Sequence, residues 1–343
     1  MEKTNIVGNA IAYLRKRAGY TQKDLADRIG ISDKAVSKWE RGIGLPDVTY
    51  LRRLSILLDT DTDSLLSGDV IHHDNMWAGV IVLESNDYGI NLGTIIYDKP
   101  IISFLLSYFL LVGIHDITIV GDEVEKNIID KILGNGEEYG VKLTIVVGTL
   151  KDALKNRSWI GNIMLVYGRC FLYGVDQTRF FKKAMVERNH FTMIVLPKKL
   201  KTQKEHVKIN RDKKVINTES DEMLKTQYDF SEIPIAFFPA CNLSKIADSI
   251  NISKYISKYA YDNDLYVQVL DRGFVEIELD DWNSVHEAST FLRIVQERCG
   301  MNVYCLDEVA WRRGFISREK LKEHAEKYKG TDYGEYLVSL YNR

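Results

Sequence analysis

Residues 33–42 read DKAVSKWERG. On a helix, Ala35, Val36 and Trp39 turn inward together, which leaves Asp33, Lys34, Ser37 and Lys38 to share the outer face. Lysine and serine donate to guanine or adenine edges, and aspartate accepts from cytosine N4. A second stretch, AGVIVLESNDYGINLGTIIYDKP (78–100), opens as a buried strand and closes on Tyr97-Asp98-Lys99-Pro100. Between those ends stand Glu84 and Asp87 with no Arg or Lys, a composition that repels a triphosphate. Other reactive side chains are sparse. Cys170, Cys241, Cys299 and Cys305 form no Cys-x-x-Cys pair and have no His cluster beside them, so neither a disulfide framework nor a zinc site is expected. His72-His73 reads as a solvated pair in a linker, and no cofactor is expected.

The elements that must carry these residues follow from local signals. Ile6, Ile11, Leu14 and the run Arg15-Lys16-Arg17 fit a first amphipathic helix ending near Gly19. Thr21 caps TQKDLADRIG with Asp24 as its acidic partner, and Gly30 supplies the positive φ of a sharp turn. Ser32 caps the third helix, Pro46 and Asp47 open a fourth, and the stretch from Asp63 to Gly68 closes a fifth. From Ala78 the pattern changes to strand–helix alternation: AGVIVL, a helix over 101–114, DITIVGD, the helix EKNIIDKILG, VKLTIVVG and NIMLVYG. The expected fold class is therefore α/β, a small all-α domain followed by a doubly wound, mainly parallel sheet.

At 343 residues two domains are expected, and 45% hydrophobic with five prolines argues against large disordered regions. Formal net charge is −2, yet residues 1–53 carry eleven Lys/Arg against six Asp/Glu, a local +5. A basic module on a near-neutral body is the footprint of phosphate contact. The N-terminus MEKTNIVGNA lacks the apolar core of a signal peptide, and IISFLLSYFLLVGI, at 14 residues, is too short to span a bilayer. A cytoplasmic protein with no membrane partner is expected.

The stretch TQKDLADRIGISDKAVSKWERGIGLPDVTYLRRL resembles the XRE/Cro-like helix-turn-helix family in its Thr-Gln start, its Leu-Ala pair, Gly30 and the Val-x-x-Trp-Glu-Arg-Gly run. The resemblance implies a double-stranded DNA operator as partner, with Gln22 and Lys23 on backbone phosphates and Asp33, Lys34, Ser37 and Lys38 near base edges. IIYDKPIISFLLSYFLLVGIHDITIVGD, LGNGEEYGVKLTIVVG, LVYGRCFLYGVD and the run from DRGFVEIELDDW through DEVAWRRGF to TDYGEYL look like glucose-1-phosphate thymidylyltransferase, with its C-terminal helices. The organisation expected is 1–68 helix-turn-helix, 69–77 linker and 78–343 sugar nucleotidyltransferase-like.

That second family transfers a nucleotide from dTTP to a sugar phosphate, using a Gly-Gly-x-Gly-Thr-Arg loop, a lysine and metal-binding carboxylates. Here ESNDYGINLGT replaces the loop, and Gly168-Arg169-Cys170 stands where the family has Gly-Asp-Asn. Glu278 falls in the register of a second metal aspartate, with Asp280 and Asp281 following. The family's sugar-holding segments fall at TESDEM (218–223), which has no lysine, and near Glu205-His206. A chain without catalytic residues or metal is expected, a pseudoenzyme. The family's regulatory site for a dTDP-sugar, at a subunit contact, implies Leu111, Tyr173, Gly174, Arg272, Gly273, Glu308, Val309 and Arg312 as effector residues. Arg272 and Arg312 would pair a diphosphate and Glu308 a pyrimidine edge. The resemblances together imply a homo-oligomeric regulator, dimer or tetramer, sensing a nucleotide sugar. The alternative is a working nucleotidyltransferase that also regulates its own gene.

Overall fold

Apolar residues at helical spacing close the first helices around one core. The computed structural model describes residues 2–18, 20–58, 60, 62–67, 77–83, 87–156, 159, 161–186, 191–197, 207–209, 215–216, 228–249, 252, 255–256, 265–300 and 302–342. Of the expected linker 69–77, residues 69–76 with His72-His73 lie outside these residues, as do Glu84, Glu205-His206 and 218–223, whereas Trp77 already belongs to the first strand. The chain divides into two compact units: Met1–Met76 with Glu138–Gly140 and Cys305–Arg343, and Trp77–Glu137 with Val141–Tyr304.

In the first unit, α1 (Glu2–Arg17), α2 (Gln22–Ile29), α3 (Asp33–Glu40), α4 (Val48–Leu57) and α5 (Thr62–Ser67) bury Ile11, Leu14, Leu25, Ile29, Val36, Trp39, Leu54 and Leu65 in a common core. Thr21 and Asp24 form the expected reciprocal cap, and Gly30 ends α2 at φ 75. Ser32 accepts from the Ala35 amide, and Asp47 from the Thr49 amide at 2.9 Å. Gly8 is needed for a different reason. A Cβ there would stand 2.1 Å from the Trp39 carbonyl oxygen, so α1 and α3 meet backbone to backbone.

The second unit is built on a sheet. β1 (Trp77–Val82), a short β2 (Ile95–Ile96) and β3 (Lys99–Pro100) precede α6 (Ile101–Val112); β4 (Asp116–Gly121), α7 (Glu123–Ile132), β5 (Lys142–Val147), α8 (Leu150–Asn156) and β6 (Asn162–Tyr167) follow. These form a parallel core in the order β6-β1-β4-β5. All six residues of β1 are buried, as expected of a strand covered on both faces. In α6 every residue is buried except Leu111, and the helix ends at Val112, capped by Gly113, two residues earlier than the apolar run suggests.

Beyond β6 the chain makes β7 (Cys170–Tyr173), α9 (Gln177–Val186), β8 (Thr192–Pro197), β9 (Val207–Ile209), β10 (Val215–Ile216) and the long β11 (Tyr228–Pro239). β11 runs antiparallel beside β6, β8 and β9, with an irregularity between Glu232 and Ala236. α10 (Leu243–Ala247), β12 (Tyr266–Val269), β13 (Val275–Glu278) and α11 (Trp282–Cys299) complete the unit. β12 lies parallel to β8, and β13 pairs with β7 in a separate two-stranded ribbon.

The C-terminal helices are α12 (Leu306–Arg312), α13 (Arg318–Lys327) and α14 (Asp332–Tyr341). Buried Asp307 in α12 is bonded by His324 of α13 and by the Tyr333 hydroxyl of α14, which ties the three together. Among the described residues no helix is long and apolar enough to cross a membrane.

Candidate functional site

Among the described residues, two places are organised enough to do chemistry. The first is the outer face of α3. Asp33, Lys34 and Lys38 are exposed and Ser37 half-buried, while Val36 and Trp39 hold the helix to the core. Lys23 is exposed on α2. Gln22, its first residue, donates from Nε2 to Glu40 Oε2 at 2.7 Å. Glu40 is the centre of this arrangement: its carboxylate also takes both Nε and Nη2 of Arg15, the latter at 3.0 Å, while Arg15 Nη1 donates to the Tyr20 carbonyl at 2.6 Å. The Arg15 and Glu40 side chains are only 10% and 7% exposed. One charge of the basic run is therefore neutralised inside the fold. Residue roles drawn from sequence missed Glu40, although its place four residues after buried Val36 puts it on the inner face.

The second place is the crevice at the carboxyl ends of the parallel strands, where strand order reverses and α/β sheets generally take ligands. Leu83, Gly121, Asp122, Glu125, Val147, Gly148 and Arg169 line a cavity of about 290 Å3. Arg169 Nη2 meets Glu125 Oε1 at 2.6 Å, with the two side chains 9% and 4% exposed. The other Glu125 oxygen accepts the Leu92 amide at 2.8 Å. Asp122 caps α7, accepting from the Glu125 amide at 2.9 Å.

A divalent cation does not fit these residues. Arg169, a buried guanidinium, holds the position where the resemblance puts a metal-binding aspartate, and among the described residues no group of three His, Cys, Asp or Glu is placed to hold a metal. Glu278 ends β13 opposite Cys170, and Asp281 caps α11 by accepting from the Ser284 amide at 2.7 Å. Asp280 and Asp87 are exposed.

Tyr97-Asp98-Lys99-Pro100 has a structural task. Lys99 Nζ contacts Asp98 Oδ1 at 2.6 Å and Gln296 Oε1 at 2.9 Å. Gln296 returns a hydrogen bond to Asp98 Oδ2 at 3.0 Å and accepts the Val303 amide at 2.9 Å. A buried lysine thus fastens this turn to α11.

The eight effector candidates fall into two groups. Around β7, the ladder sets Val275 opposite Tyr173, so Tyr173 and Gly174 adjoin Phe274 and the exposed Arg272-Gly273 turn. Tyr108 of α6 accepts the Leu172 amide at 2.8 Å, which brings the helix carrying Leu111 to the same strand. In the first unit, Glu308, Val309 and Arg312 share α12. Arg312 Nε donates to Glu308 Oε1 at 2.6 Å, and the Tyr336 hydroxyl bonds the other oxygen, so this carboxylate is already engaged.

Comparison with known proteins accounts for both units. A helix-turn-helix family, HTH_3, matches residues 11–65. A Neisseria meningitidis glucose-1-phosphate thymidylyltransferase is 29% identical over 259 residues, covering 71% of this chain and 90% of that protein. A Mycobacterium tuberculosis protein of the same name is 25% identical over 262 residues, covering 72% and 90%. Among solved structures, a Bacillus anthracis protein described as a glucose-1-phosphate thymidylyltransferase, in complex with sucrose, aligns over 63% of this chain and 95% of its own with a TM-score of 0.52. At 14% identity that match speaks for the fold alone. This chain joins an XRE-type helix-turn-helix domain to a glucose-1-phosphate thymidylyltransferase-like domain.

Proposed function

We propose that the chain is a sequence-specific transcriptional regulator in which residues 1–68 read an operator, 69–77 link, and 78–343 form a catalytically inactive nucleotidyltransferase-like domain. That second domain assembles the oligomer and senses a nucleotide sugar of the dTDP-sugar kind. Genes for surface polysaccharide or nucleotide-sugar synthesis are the targets that fit such an effector. The observation that supports the reading is the crevice: its cation is Arg169, paired through Nη2 with Glu125 within the fold, where phosphoryl chemistry needs a metal ion and a free positive charge. An operator read by paired heads fits a symmetric oligomer. An effector that changes their spacing shifts operator affinity by about 5–150-fold, the usual range of such coupling.

We assign Lys34 and Lys38 of α3 to base edges, with Ser37 and Asp33 beside them, and Gln22 and Lys23 of α2 to phosphates. Arg272 and Arg312 are assigned to an effector diphosphate. The test is retardation of DNA from upstream of the chain's own gene and of candidate sugar genes, with dTDP-rhamnose and related nucleotide sugars titrated in. Ligand-dependent release or tightening is expected. Equal affinity under every nucleotide sugar removes the sensing role, and no retardation of any fragment removes the regulator. A second reading, a working transferase that also represses its own gene, is favoured by relatives named as thymidylyltransferases along 90% of their length.

A further inference from the structure

The crevice at the strand ends contains a charge arrangement that an empty ligand site would not need. Arg169 and Glu125 come from elements 44 residues apart, meet at 2.6 Å and are both more than nine-tenths buried. A guanidinium so placed draws a phosphate-like anion unless a carboxylate already satisfies it. Here Glu125 does so, and its second oxygen is fixed by the Leu92 amide of the 91–94 turn. Asp122 stands on the same wall, so the ionisable lining of Asp122, Glu125 and Arg169 sums to one negative charge. An entering anion would meet that net charge and would have to expel Glu125, leaving a buried carboxylate with no counter-ion.

We propose that Glu125 is a built-in counter-ion that occupies the anion position of the crevice, holding Arg169 and the 91–94 turn together and keeping phosphate-bearing ligands out. The disagreement between these residues and a metal–nucleotide site is then a device rather than a loss. A side-chain cation replaces the metal, and a side-chain anion replaces the phosphate. The consequence is a domain whose crevice is complete without ligand. Any effector must then act at another place, such as the ribbon of β7 and β13. This rests on the reading that the domain no longer transfers nucleotides, but the two can fail separately.

The test is a double-mutant cycle on the full chain, read by thermal melting with and without millimolar sodium pyrophosphate. Glu125→Gln keeps the shape and an acceptor for the Leu92 amide but removes the charge. The expected outcome is a midpoint lower by about 10 °C, partly regained with pyrophosphate, because the guanidinium, relieved of this carboxylate, now takes the anion. Arg169→Gln falls comparably and gains nothing from pyrophosphate. The double variant melts closer to the native chain than either single one, and the native chain responds to pyrophosphate no more than Arg169→Gln does. Should Glu125→Gln not fold, Arg169→Gln, the double variant and the native chain's response still decide. Additive effects in the cycle, or a native-chain shift with pyrophosphate that Arg169→Gln abolishes, overturn the counter-ion. Turnover of dTTP and glucose 1-phosphate by the native chain would instead sink the inactive-enzyme reading, whatever the cycle shows.

Discussion

The DNA-reading head and the strand-end crevice each enclose one arginine–glutamate pair. Arg15 with Glu40 and Arg169 with Glu125 are alike in chemistry and burial, every side chain being no more than 10% exposed. Their surroundings give them opposite consequences. Glu40 sits on the inner side of α3 and gathers Arg15 and Gln22 behind it, so the outer face of Asp33, Lys34, Ser37 and Lys38 stays open. Glu125 sits inside the crevice and gathers Arg169 and the Leu92 amide there, so the position a ligand would use is filled by the protein. A buried ion pair adds little net stability over an apolar pair of the same shape, but removing one partner is costly. In one region that rigidity serves an exposed reading surface; in the other it closes one.

The comparison breaks most readily at Glu40. Glu40→Gln leaves Arg15 uncompensated and should destabilise the head by about 3–5 kcal/mol, with loss of DNA retardation; calorimetry showing an unchanged head would mean the two pairs are not equivalent. Next in size, Lys34→Ala and Lys38→Ala should each weaken operator binding by about 1–3 kcal/mol without altering melting. Equal retardation in both would displace the reading face from α3. Lys23→Ala should instead flatten the salt dependence of binding by about one unit of slope.

A smaller effect concerns pH. The Thr21 hydroxyl and amide hold the Asp24 carboxyl below its usual range. Its cap therefore contributes fully above about pH 4, near the unfolded value, and is lost as pH falls through the lower folded value. The head should lose about 0.5 kcal/mol across that window, and Asp24→Asn should lack this increment; identical acid melting curves would count against the cap. The smallest change expected is from mild alkylation. Cys241 and Cys299 are exposed and should react, while Cys170 and Cys305 are buried, burial pushing the Cys305 thiol up to about 12. DNA retardation should be unaffected, and mass spectrometry showing labelled Cys305 in folded protein would contradict the packing of α12.

The head was legible in sequence because its signals are local. Thr21 with Asp24, Gly30 and Ser32 each act within three or four residues, and the structure forms the caps and the turn they announce. Glu40 was not assigned because its partner lies 25 residues away, across the core. The parallel core was legible from alternation, whereas antiparallel β11 and the β7–β13 ribbon depend on long-range pairing that no period encodes. Arg169 stood out as a basic residue in an acid's place, yet nothing near it in sequence pointed to Glu125. In EIELDDW the metal register falls on Glu278, which ends β13 opposite Cys170, and Asp281 after it is a helix cap, a role that the following run of α11 could have revealed. Lys99 teaches the same lesson. A motif that belongs to a catalytic family persists here in contact with Gln296, as a fastening of the fold.

The most direct measurement is pyrophosphate release by the purified full-length chain given dTTP, glucose 1-phosphate and Mg2+, followed by a coupled assay. The expected result is a rate no higher than the protein-free blank at any metal concentration. Release that requires the metal and saturates with both substrates would contradict it, and would return the strand-end crevice to the status of a working site.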